Sequence, residues 1–119
     1  MIDYIGLIEK YCAGNPDLQQ VLLQHSRQVA DRALAILSAH PEWVESGEVD
    51  PVFVEEAAML HDIGVVYCDA PRIHCKGEHG YIEHGYLGAE ILRQEGLPKH
   101  ALVAERHTGT GITMEQVEW

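Results

Sequence analysis

Apolar residues recur every three or four positions along most of this chain, the spacing of helices that bury one face. The longest stripe belongs to a helix predicted to begin at Asn15-Pro16, where asparagine suits the cap and proline the first turn. Asp50-Pro51 repeats that arrangement. Five helices are predicted. The first covers residues 2–12, the second begins at residue 15 and the third at residue 50; the fourth covers residues 81–95 and is ended by Gly96, and the fifth runs from residue 97 to about 107. The fold class is therefore predicted to be all-α.

Residues 65–80 are the irregular part of the chain, because Pro71, Gly77 and Gly80 interrupt any regular pattern. A loop of about 16 residues is long for a compact domain, and such loops are usually functional. This one contains His74, Cys75 and His79, an irregularly spaced set that could form a separate zinc site. A loop that covers the substrate, or plain surface residues, is the favoured interpretation.

Length and composition restrict the classes of function. A chain of 119 residues with 46% hydrophobic residues fits one domain, taken as residues 1–119. Its formal charge of −11 argues against nucleic acid as a partner, because nucleic acid binding requires a basic face. Three cysteines at irregular positions argue against a disulfide framework and favour the cytoplasm. Neither a signal peptide nor a membrane span of roughly 20 apolar residues is recognisable, so no membrane partner is expected.

The pair His61-Asp62 is the strongest chemical signal. It lies at the end of an apolar helical run, where an unpaired imidazole or carboxylate is costly to bury. Adjacent side chains on a helix point about 100° apart, so both can reach one ion only near a helix end. Gly64 is expected to supply that end as a left-handed residue just past the last turn. A metal ion would satisfy both side chains.

The run His61-Asp62-Ile63-Gly64 resembles the signature of the HD superfamily of metal-dependent phosphohydrolases. Proteins of this family are helical and take a further histidine from an earlier helix, a position that His25 matches here. Many also use two later histidines to hold a second metal, and His84 and His107 match those. The resemblance extends from about His25 to Gly111 and implies a single compact helical bundle.

The resemblance implies a divalent transition metal, as one or two ions. Imidazole and carboxylate ligands suit iron, manganese, zinc or nickel. A second ion would lie within about 4 Å of the first, with Asp62 between them. The implied metal ligands are His25, His61, Asp62, His84 and His107.

Three residues are expected to take part in the reaction itself. Asp62 would bridge the metals, and Glu83 is a candidate for moving protons. Arg72 is the best candidate for gripping phosphate through bidentate hydrogen bonds. Taken alone, His25 could be a core histidine, His107 a charged histidine at a helix end, and Arg72 a solvent-exposed residue. His40 and His100 are interpreted as surface residues.

Two departures from the family pattern affect the expectation. The family normally closes its site with an aspartate on a later helix, but the last aspartate here is Asp69. The chain is therefore expected either to lack C-terminal helices or to be a short form without that ligand. Val65 stands where the two-metal signalling branch often has lysine, which argues against a specific assignment to cyclic dinucleotide hydrolysis.

The leading functional hypothesis is hydrolysis of a small phosphorylated molecule, preferably a nucleotide, by metal-activated water. The alternatives are a metal-binding or ligand-sensing module without turnover and, less favoured, a di-iron oxygenase. The absent late aspartate favours the module. Oligomeric state is left open, with a homodimer as one option because a shortened helical core would expose apolar surface.

Overall fold

The structure of the chain is a computed structural model that describes residues 2–106, apart from the side chains of Arg72 and Ile82. The described part contains six α-helices, which confirms the predicted fold class. They are α1 (Tyr4–Tyr11), α2 (Pro16–Ala39), α3 (Pro41–Glu45), α4 (Pro51–Leu60), α5 (His84–Gln94) and α6 (Pro98–Arg106). Short 3₁₀ helices cover Ile63–Tyr67, Pro71–Ile73 and Tyr81–Glu83.

The two cap-and-proline signals start helices as predicted. The Asn15 side chain accepts a hydrogen bond from the Leu18 N–H at 3.2 Å, and Pro16 is the first residue of α2. Asp50 likewise accepts from the Val52 N–H at 3.0 Å, with Pro51 opening α4. Each cap satisfies a backbone donor that a helix start leaves without a partner. These helix starts are therefore encoded within a few residues of sequence.

Helices α2 and α4 lie side by side and run in opposite directions. His25 of α2 contacts Asp62 just beyond α4 at 3.0 Å, and Arg27 contacts Glu55 of α4 at 3.4 Å. Helix α5 packs on α6 and on the 3₁₀ helix Ile63–Tyr67. The core where these elements meet includes the fully buried side chains of Ile8, Leu22, Leu60, Ile63 and Leu92. This packing places the His61-Asp62 pair beside both α2 and α5.

The prediction of an irregular segment over residues 65–80 was partly wrong. Strands β1 (Asp69–Ala70) and β2 (Cys75–Lys76) pair antiparallel within it. Ala70, Ile73 and Cys75 are buried. A segment that buries apolar side chains must also pair its backbone groups, so the turn residues bend this segment into a small hairpin. Helix α3 was not predicted either.

Gly64 has a different role from the one expected of it. Its backbone is not left-handed; the described glycines with positive φ are Gly14, Gly47 and Gly96, the last at 78° just past α5 as predicted. A Cβ on Gly64 would instead collide with the carbonyl oxygen of His84 and the backbone N of Gly88. Gly64 is therefore required for the close approach of α5.

Among the described residues, none of the helices combines the length and the apolar character needed to cross a membrane.

Candidate metal centre

Three imidazoles surround the carboxylate of Asp62. Oδ2 of Asp62 lies 2.8 Å from Nε2 of His61 and 3.0 Å from Nε2 of His25. Its other oxygen, Oδ1, lies 3.1 Å from Nε2 of His84. The structure thus brings together four of the five predicted metal ligands. His107 lies outside the described residues.

Separate elements supply these side chains. His25 comes from the middle of α2, His61 and Asp62 follow the end of α4, and His84 is the first residue of α5. All four are largely buried, with exposed side-chain fractions of 16% for His25, 13% for His61, 6% for His84 and 5% for Asp62. The site is therefore shielded from bulk water, which strengthens its electrostatic interactions.

The second ring nitrogens of two histidines are held by backbone carbonyls. Nδ1 of His61 lies 2.5 Å from the Ala58 oxygen, and Nδ1 of His84 lies 2.7 Å from the Tyr81 oxygen. Because a carbonyl only accepts, each Nδ1 must carry hydrogen. In a ring whose only hydrogen on nitrogen is at Nδ1, the lone pair is at Nε2, and that is the atom facing Asp62. Such carbonyl contacts commonly orient metal-ligating histidines.

The donor set fits a divalent cation. If all three imidazoles were protonated, one carboxylate would face three positive charges in a buried site, which is costly. If they were neutral, the lone pairs of His61 and His84 would point at a negatively charged carboxylate. One donor atom of His25, one of His61 and one of Asp62 all lie within 4.8 Å of one another. One ion could bind among these three atoms in place of the direct contacts between the side chains. Nitrogen and carboxylate donors suit a first-row transition metal.

Asp62 also affects the proton affinity of its neighbour. Burial on its own would lower the pKa of His61, but the hydrogen bond and charge of Asp62, helped by the Ala58 carbonyl, outweigh it and raise the pKa. A cation bound at this position would compete with that proton for Nε2.

The predicted catalytic Glu83 has another set of contacts. Its carboxylate accepts a hydrogen bond from the Gly80 N–H at 3.1 Å and lies 3.4 Å from Nδ1 of His79. About half of the side chain is exposed, and the Gly80 contact caps the turn that leads into α5. Its part in proton transfer stays a prediction. The same holds for Arg72, whose backbone lies in the 3₁₀ helix Pro71–Ile73 and whose side chain is not described.

The segment 65–80 does not assemble the alternative zinc site from His74, Cys75 and His79. Cys75 is buried in the core, whereas His74 and His79 are exposed. Within residues 2–106, the only set of three side chains with donor atoms close enough for an ion is the one that contains Asp62. The Cys75 thiol lies 4.0 Å from the Ile73 carbonyl oxygen inside the core, whereas the two imidazoles are exposed to solvent.

The surface interpretation was wrong for His100. Its Nε2 lies 3.0 Å from Oε1 of Glu56, and the two side chains are only 11% and 8% exposed. Oε2 of Glu56 also accepts a hydrogen bond from the Ile2 N–H at 2.9 Å. The available signal was Glu56 itself, since a carboxylate on an apolar helix face requires a partner. His40, in contrast, is 43% exposed as predicted.

Comparison with known proteins agrees with this geometry. Residues 22–118 match the HD domain family. The chain is 35% identical over 113 residues to an uncharacterized protein of Methanocaldococcus jannaschii, an alignment that covers 94% of this chain and 56% of that protein. It is 31% identical, again over 94% of its length, to a protein of Thermoplasma volcanium named tRNA (cytidine(56)-2'-O)-methyltransferase, of which the alignment covers 27%.

A tRNA (cytidine(56)-2'-O)-methyltransferase of Picrophilus torridus is 34% identical over 70 residues, which cover 58% of this chain and 17% of that protein. The chain thus spans about half or less of the length of these curated relatives. No solved structure matches it. The family match includes His25, His61, Asp62 and His84. The chain therefore belongs to the HD domain family.

Proposed function

We propose that this chain is a metal-dependent phosphohydrolase that acts on a small phosphorylated molecule, with a nucleotide as the preferred substrate. The observation that carries the proposal is the buried Asp62 carboxylate, with Nε2 atoms of His25, His61 and His84 within 3.1 Å of its oxygens. Membership of the HD domain family supports the same proposal, because many proteins of this family are metal-dependent hydrolases.

His25, His61 and Oδ2 of Asp62 would hold one ion. His84 and Oδ1 of Asp62, joined by His107, would hold a second when two are bound. A bound divalent cation supplies an activated water and stabilises negative charge on phosphoryl oxygens. Iron, manganese, zinc and nickel all suit these donors.

The chain's own residues supply orientation and charge. The Ala58 and Tyr81 carbonyls fix the rings of His61 and His84, so that Nε2 of each faces the carboxylate. The carboxylate of Asp62 lies between the two rings and contacts both of them. Arg72 would bind the phosphate of the substrate, which a protein with a formal charge of −11 otherwise repels. Glu83 would carry a proton at the edge of the site.

A phosphatase screen tests the proposal. The chain would be loaded separately with iron(II), manganese, zinc or nickel and given nucleotides and simple phosphate monoesters. We expect metal-dependent release of phosphate that Asp62→Asn abolishes and that the matched surface variant Asp31→Asn retains, because Asp31 lies on the exposed side of α2. Full metal occupancy with no release from any substrate would overturn the proposal.

A metal-binding or ligand-sensing module without turnover is the second candidate. One observation favours it: Asp69, the aspartate that follows Asp62 in the sequence, is exposed on β1 and pairs with Lys76 of β2 through the strand ladder. It therefore does not take the place of the late aspartate that the family normally adds to the site. Bound metal together with ligand binding and no phosphate release would identify this function, whereas iron-dependent oxygen uptake would identify an oxygenase.

Methyl transfer is not proposed for this chain. The relatives named tRNA methyltransferases are matched over 27% and 17% of their lengths. The formal charge of −11 also disfavours contact with an RNA backbone. When tRNA is added to the phosphatase screen as a control, we therefore expect the chain neither to bind it nor to hydrolyse it.

A further inference from the structure

A contact between two glycines lies directly beside the Asp62–His84 pair. Gly64 follows Asp62 by two residues, and Gly88 is one helical turn beyond His84 on α5. A Cβ on Gly64 would overlap the carbonyl oxygen of His84 and the backbone N of Gly88. Because both obstructing atoms belong to the backbone, no side-chain rotation could make room. Any larger residue at position 64 must push the start of α5 away.

The contact also leaves little space around Gly88, although the overlap there would be smaller than at Gly64. A Cβ on Gly88 would lie 3.1 Å from the Gly64 N, 3.5 Å from its Cα and 3.6 Å from Cγ2 of Ile63. Gly64, Gly88 and Ile63 are all buried. The two backbones therefore approach each other as closely as they do because neither position carries a side chain.

The orientation of the His84 ring and its distance from Asp62 have separate causes. Its orientation is set by Tyr81, whose carbonyl oxygen lies 2.7 Å from Nδ1 and whose ring centroid lies 4.5 Å from that of His84. Tyr81 belongs to the same local segment as His84 and would move with it. The separation of 3.1 Å between Nε2 of His84 and Oδ1 of Asp62 depends instead on how closely α5 approaches residue 64.

We propose that Gly64 and Gly88 are positioning residues that set the distance between His84 and Asp62. Because neither carries a side chain, the two backbones touch, and this contact brings His84 to Oδ1 of Asp62. The glycines thereby complete the half of the metal centre that faces Oδ1. The inference rests on the proposed metal site, but the positioning can be measured without metal. His25 and His61 approach Oδ2 from α2 and from the end of α4, so their half of the site does not depend on this contact.

The first experiment measures the distance directly in crystal structures of metal-free variants. In Gly64→Ala, Nε2 of His84 should move out of hydrogen-bonding reach of Asp62, beyond about 3.5 Å. Gly88→Ala should displace Nε2 of His84 by a smaller distance. This variant provides the measurement if Gly64→Ala does not fold. Gly80→Ala is the matched control, because nothing lies within 4 Å of a Cβ there. An unchanged distance in the folded glycine variants would overturn the proposal.

The second experiment follows Co²⁺ binding by visible absorbance. Gly64→Ala should keep the ion that His25, His61 and Asp62 hold and should weaken binding at the His84 position by about tenfold to a hundredfold, the usual cost of losing a group that orients a ligand. In His84→Ala, adding Gly64→Ala should cause no further loss, since the glycine acts through that imidazole. Additive losses would instead indicate general damage to the fold and would contradict the proposal.

The two experiments separate failure of the inference from failure of the proposed function. If the wild-type chain binds no Co²⁺ while the distance opens in Gly64→Ala, the metal site is wrong and the positioning by glycine holds. If Co²⁺ binds with wild-type affinity and the distance stays the same in Gly64→Ala, the metal site holds and the positioning is wrong.

Discussion

His61 and Asp62, which are neighbours in the sequence, also meet through their side chains, with Nε2 of His61 2.8 Å from Oδ2 of Asp62. On a continuing helix they would point about 100° apart. Here α4 ends at Leu60, His61 keeps helical backbone angles (φ −62°, ψ −28°), and Asp62 departs from them with φ −104° and ψ 11°. The end of the helix therefore makes the pair usable as a single metal site.

Replacing His61 by alanine should remove bound metal without unfolding the chain. The substitution deletes one donor atom and leaves the core side chains in place. Bound metal per chain, measured by elemental analysis after purification, should fall by at least the one ion assigned to His25, His61 and Asp62, while the circular dichroism stays helical. His40→Ala is the matched control, because that imidazole is 43% exposed and stacks on Trp43. A full metal complement in His61→Ala would show that the ligand assignment is wrong.

Metal should also stabilise the folded chain. Donors from α2 and from the end of α4 converge only when these helices pack, so the ion binds the folded state and raises the free energy of unfolding by about 2.7 kcal/mol at 100 times Kd. The melting temperature should fall on addition of a chelator. In Asp62→Asn the chelator should make no difference; an equal shift there would mean that the stabilising ion binds elsewhere.

The Glu56–His100 pair should make stability depend on pH on the acid side. Burial by itself would raise the pKa of Glu56, but hydrogen bonds from the Ile2 N–H and from His100 outweigh it, and the pKa lies below its ordinary value of 4.5. The ionised carboxylate therefore stabilises the fold above pH 4.5, and this contribution is lost as the pH falls through the folded-state pKa.

Glu56→Gln should accordingly lower the free energy of unfolding by about 2 kcal/mol at neutral pH, the scale of a hydrogen bond to a charged group. The difference from wild type should shrink below pH 4.5, as measured by urea unfolding with a chelator present. Glu48→Gln changes an exposed carboxylate and should show neither effect. A loss that stays constant across the pH range would rule out the ionised Glu56 carboxylate as its cause.

Ser26→Ala should stabilise the chain. The Ser26 side chain is fully buried in α2, and its Oγ has no hydrogen-bond partner among the residues that the structure describes. Removing a buried hydroxyl without a partner should raise the free energy of unfolding by about 1 kcal/mol. In Ser38→Ala, where an exposed hydroxyl donates to the Leu34 carbonyl at 3.1 Å, the change should stay within about 0.5 kcal/mol. Destabilisation of Ser26→Ala in chemical unfolding would reveal a partner for the hydroxyl.

The sequence was sufficient to predict five of the six α-helices in the described residues and the residue types of the candidate metal site. Asn15 and Asp50 cap helices through hydrogen bonds to N–H groups two or three residues away, so the cap depends on local sequence alone. The His61-Asp62 pair and the order of the further histidines predicted the side chains that the structure brings together. His25 was recognised as a ligand through the family resemblance, because its place on the apolar stripe of its helix fits a core histidine equally well.

Only the tertiary structure decided how the elements contact one another. Which oxygen of Asp62 each imidazole faces depends on the approach of α2 and α5 from different directions. The Glu56–His100 pair joins α4 to α6, and neither residue carries a local signal that names its partner. Gly64 was interpreted as a helix end because glycine suits both a left-handed turn and a close backbone contact, and sequence does not distinguish the two. Local hydrogen bonds are fixed by nearby residues, whereas contacts across the core depend on the packing of the whole chain.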